Sequence, residues 1–383
     1  MILVFETHPV QYRAPLYQDI QKRAPESFSV AYGCLNPGFD REFNRDIAWD
    51  NPLLEGYDYT HLDNRRDASL RRRQSLSGKG ILSLLRSRNP RAVLLTSLRY
   101  HFDFAAWASA TALGIPVWIR CETQDEAFPR GAFADAVREE LYRFLYRPVR
   151  RAFYIGELNR EHYLRHGLRP EQFTFTPYVV PNPIASLSLP ERQHLRESLR
   201  NSWNVRPDTR VVAFFGKLIP KKNPDLLLEA FKRLTAGQPP KQWMLLFVGS
   251  GSGEPALRLS AKWLGPQVQF AGFVNQKRLP ALYLAADILV LPSRRQGETW
   301  GLVVNEALQA GCAVAVSDAV GCHRQFRNLE RFRVFPDEDV DACAQAIREL
   351  APFPRDMRWA ESVMASYSIP AVAQTLADAF TEC

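Results

Sequence analysis

Several kinds of chemistry are ruled out by what this 383-residue chain does not contain. Its six cysteines, Cys34, Cys121, Cys312, Cys322, Cys343 and Cys383, include no C-x-x-C pair, and several stand in apolar contexts. Reduced, buried thiols are expected, not a disulfide framework or a zinc centre. There is no H-E-x-x-H string, so no catalytic metal is expected, and no Gly-x-Ser-x-Gly elbow to mark a serine hydrolase. No apolar run approaches membrane-spanning length, and the opening run 2–5 turns polar at Glu6, too early for a signal-peptide core. A cytoplasmic location is the expectation, with room for peripheral attachment to the inner face of a membrane. Repeats and low-complexity tracts are absent as well.

Acid is scarce in one place. Between residues 65 and 99 ten Lys or Arg face a single acid, Asp67, and the run includes Arg71, Arg72 and Arg73. A solvated loop is the commonest reading of such a run. The functional alternative is contact with an anionic membrane or a lipid-linked acceptor. The net charge of +8 permits attraction to phosphates. Nucleic acid is not expected, because no aromatic-interleaved basic motif or recognition-helix pattern appears.

With 46% hydrophobic and 23% charged residues the chain can bury large cores, and its length suits two domains. Short apolar runs at 2–5, 93–96, 117–120 and 152–155 alternate with helical patterns such as 104–113 and 134–151. That alternation predicts βαβ units and a parallel sheet. It restarts with runs at 211–215, 244–248, 267–271, 288–291, 313–317 and 332–335, so a second sheet is expected. Val179-Val-Pro-Asn-Pro and the polar stretch to Arg206, with one short helix, read as the connection. The expected division is α/β domains at 1–183 and 184–359, with a last helix at 369–380. Ligands of such sheets bind beyond the carboxyl ends of the strands, which places the site in the cleft between the domains.

One segment is more specific. Residues 292–318 read as strand end, polar loop, helix, glycine stop and buried strand, with Glu298 and Glu306 separated by seven residues. A helix N-terminus carries free N–H groups and partial positive charge that suit a diphosphate, while carboxylates nearby can grip sugar hydroxyls. Two glutamates there can also simply favour the helix end electrostatically.

The spacing resembles the Glu-x7-Glu signature of retaining glycosyltransferases of family 4, which have two facing Rossmann-like domains (the GT-B fold). The stretch Phe214-Phe-Gly-Lys-Leu-Ile-Pro-Lys-Lys-Asn-Pro is similar to that family's strand and basic loop, with Lys217 where Arg is usual and Lys222 at the family's Lys. Leu246-Phe-Val-Gly-Ser-Gly-Ser-Gly, Gly272-Phe-Val-Asn and Tyr283-Leu-Ala-Ala-Asp-Ile-Leu-Val-Leu-Pro-Ser follow in the family's order. The resemblance is close over the second domain and looser over the first. There, Thr7-His-Pro-Val-Gln-Tyr resembles a variant of the family's first loop, and Glu122 stands where a donor-contacting His is common. After Ser317-Asp-Ala-Val-Gly, relatives often carry an acid where this chain has Gln325.

The resemblance implies a metal-independent retaining transfer from a nucleotide-diphosphate sugar to a glycan, lipid-linked or small-molecule acceptor, as in surface glycan or glycolipid assembly. Lys217 and Lys222 would neutralise the diphosphate and Glu122 would face the sugar. Glu298 would hold sugar hydroxyls and Glu306 the ribose. Gly216, Gly249, Val274, Thr299, Trp300, Gly301 and Leu302 would complete the donor site. The last helix would cross back onto the first domain. His8, Gln11 and Tyr12 are cleft contacts or, equally, a helix cap and packing; Arg120 is a cleft contact or the ion-pair partner of Glu122. A nucleotide-sugar epimerase or a phosphorylase of the same plan, and a catalytically silent sugar-nucleotide-binding protein, are the rival readings.

Overall fold

The structure is a computed structural model in which residues 1–35, 52–66, 72–237 and 242–382 are described; Asp67, Arg71 and Cys383 lie outside them. The described residues form two parallel sheets. The first comprises β1 (Ile2–Glu6), β2 (Phe28–Tyr32), β3 (Tyr59–His61), β4 (Ala92–Leu95), β5 (Val117–Ile119), β6 (Val149–Tyr154) and β7 (Phe173–Phe175), in the order β3-β2-β1-β4-β5-β6-β7. The second comprises β8 (Arg210–Phe215), β9 (Trp243–Val248), β10 (Val268–Gly272), β11 (Ile288–Leu291), β12 (Ala313–Ser317) and β13 (Phe332–Phe335), in the order β10-β9-β8-β11-β12-β13. Every strand pairing is parallel.

The central strands read as continuous apolar runs because helices cover both faces of each sheet. Alternate residues of β1 serve the two faces. Ile2 and Val4 meet Leu16 and Ile20 of the helix Ala14–Arg23 and Leu376 and Phe380 of the helix Ile369–Thr381. Leu3 and Phe5 meet Ile81, Leu85, Phe102 and Ala106 on the other side. In β8, Val212 and Phe214 face Leu227 and Phe231, while Val211 and Phe215 share a core with Val304 and Leu308. Each large apolar side chain buried in this way contributes about 1.5–3 kcal/mol, more than an exposed ion pair does. Cys34, Cys121, Cys312, Cys322 and Cys343 are buried free thiols.

The expected architecture holds, with local corrections. The helix expected over 134–151 is Ala132–Tyr146, and 149–154 is β6 instead. Pro148 has no N–H to continue the helix, and β6 satisfies its backbone against β5. The strands β2, β3 and β7 were not anticipated. β3 and β7 are three-residue outer strands, and Ser29 and Ala31 interrupt the apolar run of β2. The last helix packs against Ala14–Arg23, on the first sheet.

The connection does more than span. Asn305 Nδ2 donates to the Tyr178 carbonyl (2.9 Å), and Gln309 Nε2 reaches that of Val180 (3.5 Å). Beyond it, the helix Leu189–Ser202 buries Arg192, Arg196 and Arg200 at successive i+4 positions. Arg196 and Arg200 grip Asp287 at 2.5 and 3.2 Å, and Asp287 also accepts from the Val211 N–H (2.8 Å). Burial alone raises the Asp287 pKa, but the two guanidinium groups and the amide reverse this and hold it below the usual carboxylate range.

Candidate functional site

The loops that follow β1, β5, β8, β9, β11 and β12 all leave the carboxyl ends of parallel strands and meet between the sheets. Their glycines let the backbones touch. Gly216 and Gly249 have φ of 143° and 133°, and a Cβ on Gly249 would lie 1.9 Å from the Gly216 carbonyl oxygen. The Gly216 N–H donates to the Val248 carbonyl (2.9 Å), and the Leu218 N–H donates to that of Ser250 (2.9 Å). The glycine loop therefore braces the basic loop. In the same way Gly321, which the sequence reading did not single out, donates to the Glu298 carbonyl (3.0 Å) and leaves no room for a side chain beside Thr299.

Glu298 is buried and pairs with Lys222 Nζ, and its Oε2 also accepts from Ser293 Oγ at 3.3 Å. Burial would raise its pKa; the ammonium groups of Lys222 and Lys221 outweigh it and hold the carboxyl below its ordinary value. Lys221 donates to the Gly297 carbonyl at 2.8 Å. Lys217 is partly buried in the same loop.

Glu306 lies one helical turn into Leu302–Gln309, behind Gly301 at φ 98°. Its carboxylate accepts from Tyr283 Oη at 2.5 Å, and the Tyr283 ring stacks on Phe215 at 3.8 Å between centroids. No cation offsets its burial, which pushes its pKa up to about 7 against the opposing hydrogen bond from Tyr283. The two glutamates of the motif are thus held in opposite electrostatic settings.

A cavity of about 170 Å³ lies beside Glu306, walled by Gly216, Gly249, Val274, Leu302, Tyr283 and, from the first domain, Gln11 and Tyr12. Gln11 accepts from Gln276 Nε2 across the cleft (2.8 Å). Tyr12 also packs edge-on against Tyr178 at 5.5 Å, so it both packs and lines the cavity. His8 caps no helix; its Nδ1 pairs with Thr7 Oγ1 at 2.9 Å, and burial lowers its pKa to about 4, which keeps it neutral at pH 7. Lys222, Glu298 and Glu122 lie outside this cavity's wall.

Glu122 reaches the second domain. Its Oε2 accepts from Thr299 Oγ1 (3.1 Å) and from Tyr178 Oη (3.0 Å). Tyr178 in turn receives Arg13 Nη2 (3.3 Å), whose Nη1 pairs with the buried Glu6 (2.6 Å). Arg120 does not pair with Glu122, which corrects that reading of it; its guanidinium lies over the Tyr178 ring at 5.4 Å. It is buried, and donates to Thr176 Oγ1 (3.2 Å) and to the carbonyls of Thr176 and Pro177 (3.1 Å each). It secures the end of β7. The Trp300 side chain is likewise internal, bonded to Asn305 Oδ1 (2.9 Å) and packed near Phe326 and Tyr367. Only its backbone faces the loop, where the carbonyl accepts from Cys322.

Two groups with metal-ligand residue types are already committed. Asp125, His162 and His166 converge, from an unremarked H-x3-H spacing on one helix, but His162 bonds both Asp125 Oδ1 (2.8 Å) and Tyr146 Oη (2.9 Å), while Arg138 pairs with Asp125. The Asp-x-Asp strings over 337–341 are also occupied: Asp337 accepts from the Arg295 N–H (3.2 Å), Asp339 caps a helix, and Asp341 pairs with Arg233 at 2.5 Å.

Comparison with known proteins agrees with this geometry. Residues 196–358 match the family described as Glycosyl transferases group 1. A D-inositol 3-phosphate glycosyltransferase of Jonesia denitrificans is 30% identical over 172 residues, 43% of this chain and 40% of that protein. A D-inositol 3-phosphate glycosyltransferase 2 of Catenulispora acidiphila is 37% identical over 135 residues, 33% and 31% of the two chains. The chain thus spans about two fifths or less of these curated relatives. Among solved structures, Anabaena Alr3699/HepE in complex with UDP superposes with a TM-score of 0.72 at 16% identity over 100% of both chains, and the lipopolysaccharide glycosyltransferase WaaG with 0.66 at 16% over 100% of both. The match to the glycosyl transferases group 1 family thus covers the whole second sheet, and the two sheets together have the GT-B fold.

Proposed function

We propose that the protein transfers a sugar from a nucleotide-diphosphate sugar to an acceptor hydroxyl, with retention of anomeric configuration and without a metal ion. The observation that carries this reading is the juxtaposition, at one helix N-terminus in the cleft, of a Lys222–Glu298 pair with a separate, uncompensated Glu306. A diphosphate entering beside Lys222 would compete for its ammonium and free Glu298 to accept sugar hydroxyls. Lys217 would add a second cation as negative charge develops on the leaving group. Glu306, with Tyr283 behind it, would accept from ribose hydroxyls. Glu122, reaching across to Thr299, would border the donor sugar from the first domain. The acceptor would enter from that domain's side, as a glycan, a lipid-linked molecule or a small molecule, and the setting would be the cytoplasm or the inner face of a membrane.

A screen of nucleotide diphosphates and their sugars by thermal shift tests the donor, because a ligand that binds only the folded state raises stability by mass action. Incubation with the stabilising donor and candidate acceptors, in EDTA, should then yield a glycoside with the donor's anomeric configuration. Interconversion of the donor without an acceptor would point to an epimerase. Phosphorolysis of a glycan would point to a phosphorylase. Stabilisation by the donor with no turnover under any condition would point to a silent binding protein.

A further inference from the structure

The helix Ala132–Tyr146 is built inside out. Arg138 turns inward to pair with Asp125 and stack on Tyr142 (4.6 Å), and Tyr142 and Tyr146 pack around His162 and His166. Leu145 is buried, but the other large apolar residues turn outward: Phe133 is 84% exposed, Val137 55%, Leu141 42% and Phe144 50%. At about 100° per residue these four lie within roughly 80° of one another around the axis, so they form one stripe. A helix on a water-facing surface normally shows the reverse arrangement. Phe128, 48% exposed and in the loop that precedes this helix, lies against Gly297 beside Glu298, at the cleft. Cations frame the stripe. Of the six arginines between residues 130 and 151, Arg138 turns inward and Arg143 pairs with Glu139 and Glu140, while Arg147 lies over the Phe144 ring at 5.8 Å and Arg150 is exposed.

We propose that this face docks on a lipid bilayer carrying anionic headgroups, with the apolar stripe lying in the interface and Arg147 and Arg150 reaching the phosphates. The charge favours a membrane over an apolar protein partner, since an aromatic stripe flanked by exposed arginines matches the layered chemistry of an interface. Trp107, which contacts Phe144 at 5.4 Å, and Leu113, 37% exposed, widen the apolar surface on the neighbouring helix His101–Ala112. Docking is independent of the sugar-transfer reading and concerns a different surface from the run at 71–73.

Flotation of the full chain with vesicles of phosphatidylcholine, with and without 30% phosphatidylglycerol (roughly the anionic fraction that gives a negative surface potential), tests it. The wild type should float with the anionic vesicles. The variant Phe133→Ser/Val137→Ser/Phe144→Ser should lose roughly tenfold or more in partition, because three exposed apolar side chains leave the interface. Arg147→Gln/Arg150→Gln should lose about fivefold per arginine on anionic vesicles only. Leu259→Ser/Trp263→Ser, which removes an equally exposed apolar pair of 73% and 70% on the second domain, should float like the wild type. All positions are exposed, and unchanged circular dichroism melts establish that the variants fold. No flotation of the wild type at low salt would overturn the proposal, as would full flotation of the triple-serine variant. A wild-type dimer that the same three changes convert to monomer, without vesicle binding, would overturn it by assigning the face to self-association. Thermal shift with nucleotide diphosphates should be the same in every variant, so failure here leaves the donor reading intact.

Discussion

Glu298 and Glu306 are the same residue type seven positions apart, yet the surroundings give them opposite tasks. Lys222 keeps Glu298 ionised, while Glu306, its pKa pushed up to about 7 by burial, has Tyr283 Oη as its side-chain partner among the described residues. For Glu306 the folded-state pKa of about 7 exceeds its ordinary value, so the folded protein binds the extra proton and stability falls as pH rises from about 4.5 to 7. Glu306→Gln, which mimics the protonated form, should melt with the wild type at pH 5 and above it at pH 8.5, by up to ~3 kcal/mol. Nucleotide-diphosphate affinity of the wild type should rise between pH 6 and 8, and the Gln variant should lose that rise; a flat titration curve for the wild type would remove Glu306 from the ribose. Lys222→Ala should lower turnover on the order of 100-fold at saturating donor, with Lys217→Arg much milder because it keeps its charge. Wild-type turnover in both variants at saturating donor would make the basic loop a surface feature.

What the sequence disclosed at this scale was local. The Glu298 to Glu306 interval is readable because a short loop and one helical turn set it, and Lys222 and the glycines of 249–253 because each stands in its own short loop after a strand, although Lys222 meets Glu298 across 76 residues of chain. Tyr178 and Tyr283 were not readable as site residues, since each acquires its role from a partner far along the chain: Glu122 for one, Glu306 for the other. Arg120 misled for the same reason. Proximity to Glu122 in sequence suggested a pair, but Arg120 is taken up by Thr176 and the Pro177 carbonyl, from a segment more than fifty residues further on.

Among the elements, loops carry the site and glycines set how closely those loops approach. Gly249→Ala is the sharpest test. The new Cβ would collide with the Gly216 carbonyl and adopt a positive φ that L-residues avoid. Its cost should be on the order of 1–3 kcal/mol of stability, accompanied by loss of nucleotide binding as the two loops part. Retention of both wild-type melting temperature and affinity would show that the loops can separate freely. Element identity was mostly legible from apolar runs, and all six of the second sheet's strands fall within one residue of expectation at each end. The failures follow physical lines. Outer strands of three residues carry too little pattern, and Pro148 decides the end of a helix whose periodicity would otherwise continue to 151.

For the whole molecule, the two sheets are held together by more than a tether. The connection is stitched to the Glu306 helix through Asn305, and loops across the cleft meet at Glu122–Thr299, Gln11–Gln276 and the Ala127 carbonyl with the Gly297 N–H (2.8 Å). The helix Ile369–Thr381 supplies Leu376 and Phe380 to the first sheet's core. Phe380→Ala should therefore destabilise the first sheet by roughly 3–5 kcal/mol. Hydrogen exchange should show the loss in β1 and β2 and spare β8 and β9; loosening of β8 and β9 instead would contradict the assignment of that helix to the first domain.

That crossing helix also constrains how the protein is made. A ribosome that has translated the first 183 residues has produced all seven strands of the first sheet, yet one face of β1 and β2 still lacks Val372, Ala373, Leu376 and Phe380. At about 5–20 residues per second, the missing roof arrives some 10–40 seconds later. Through that interval Ile2, Val4, Phe28 and Val30 must be sheltered by chaperones or by transient contacts, while the second sheet, whose strands and covering helices are nearly contiguous in sequence, can close first. The half of the protein synthesised first is thus the half completed last.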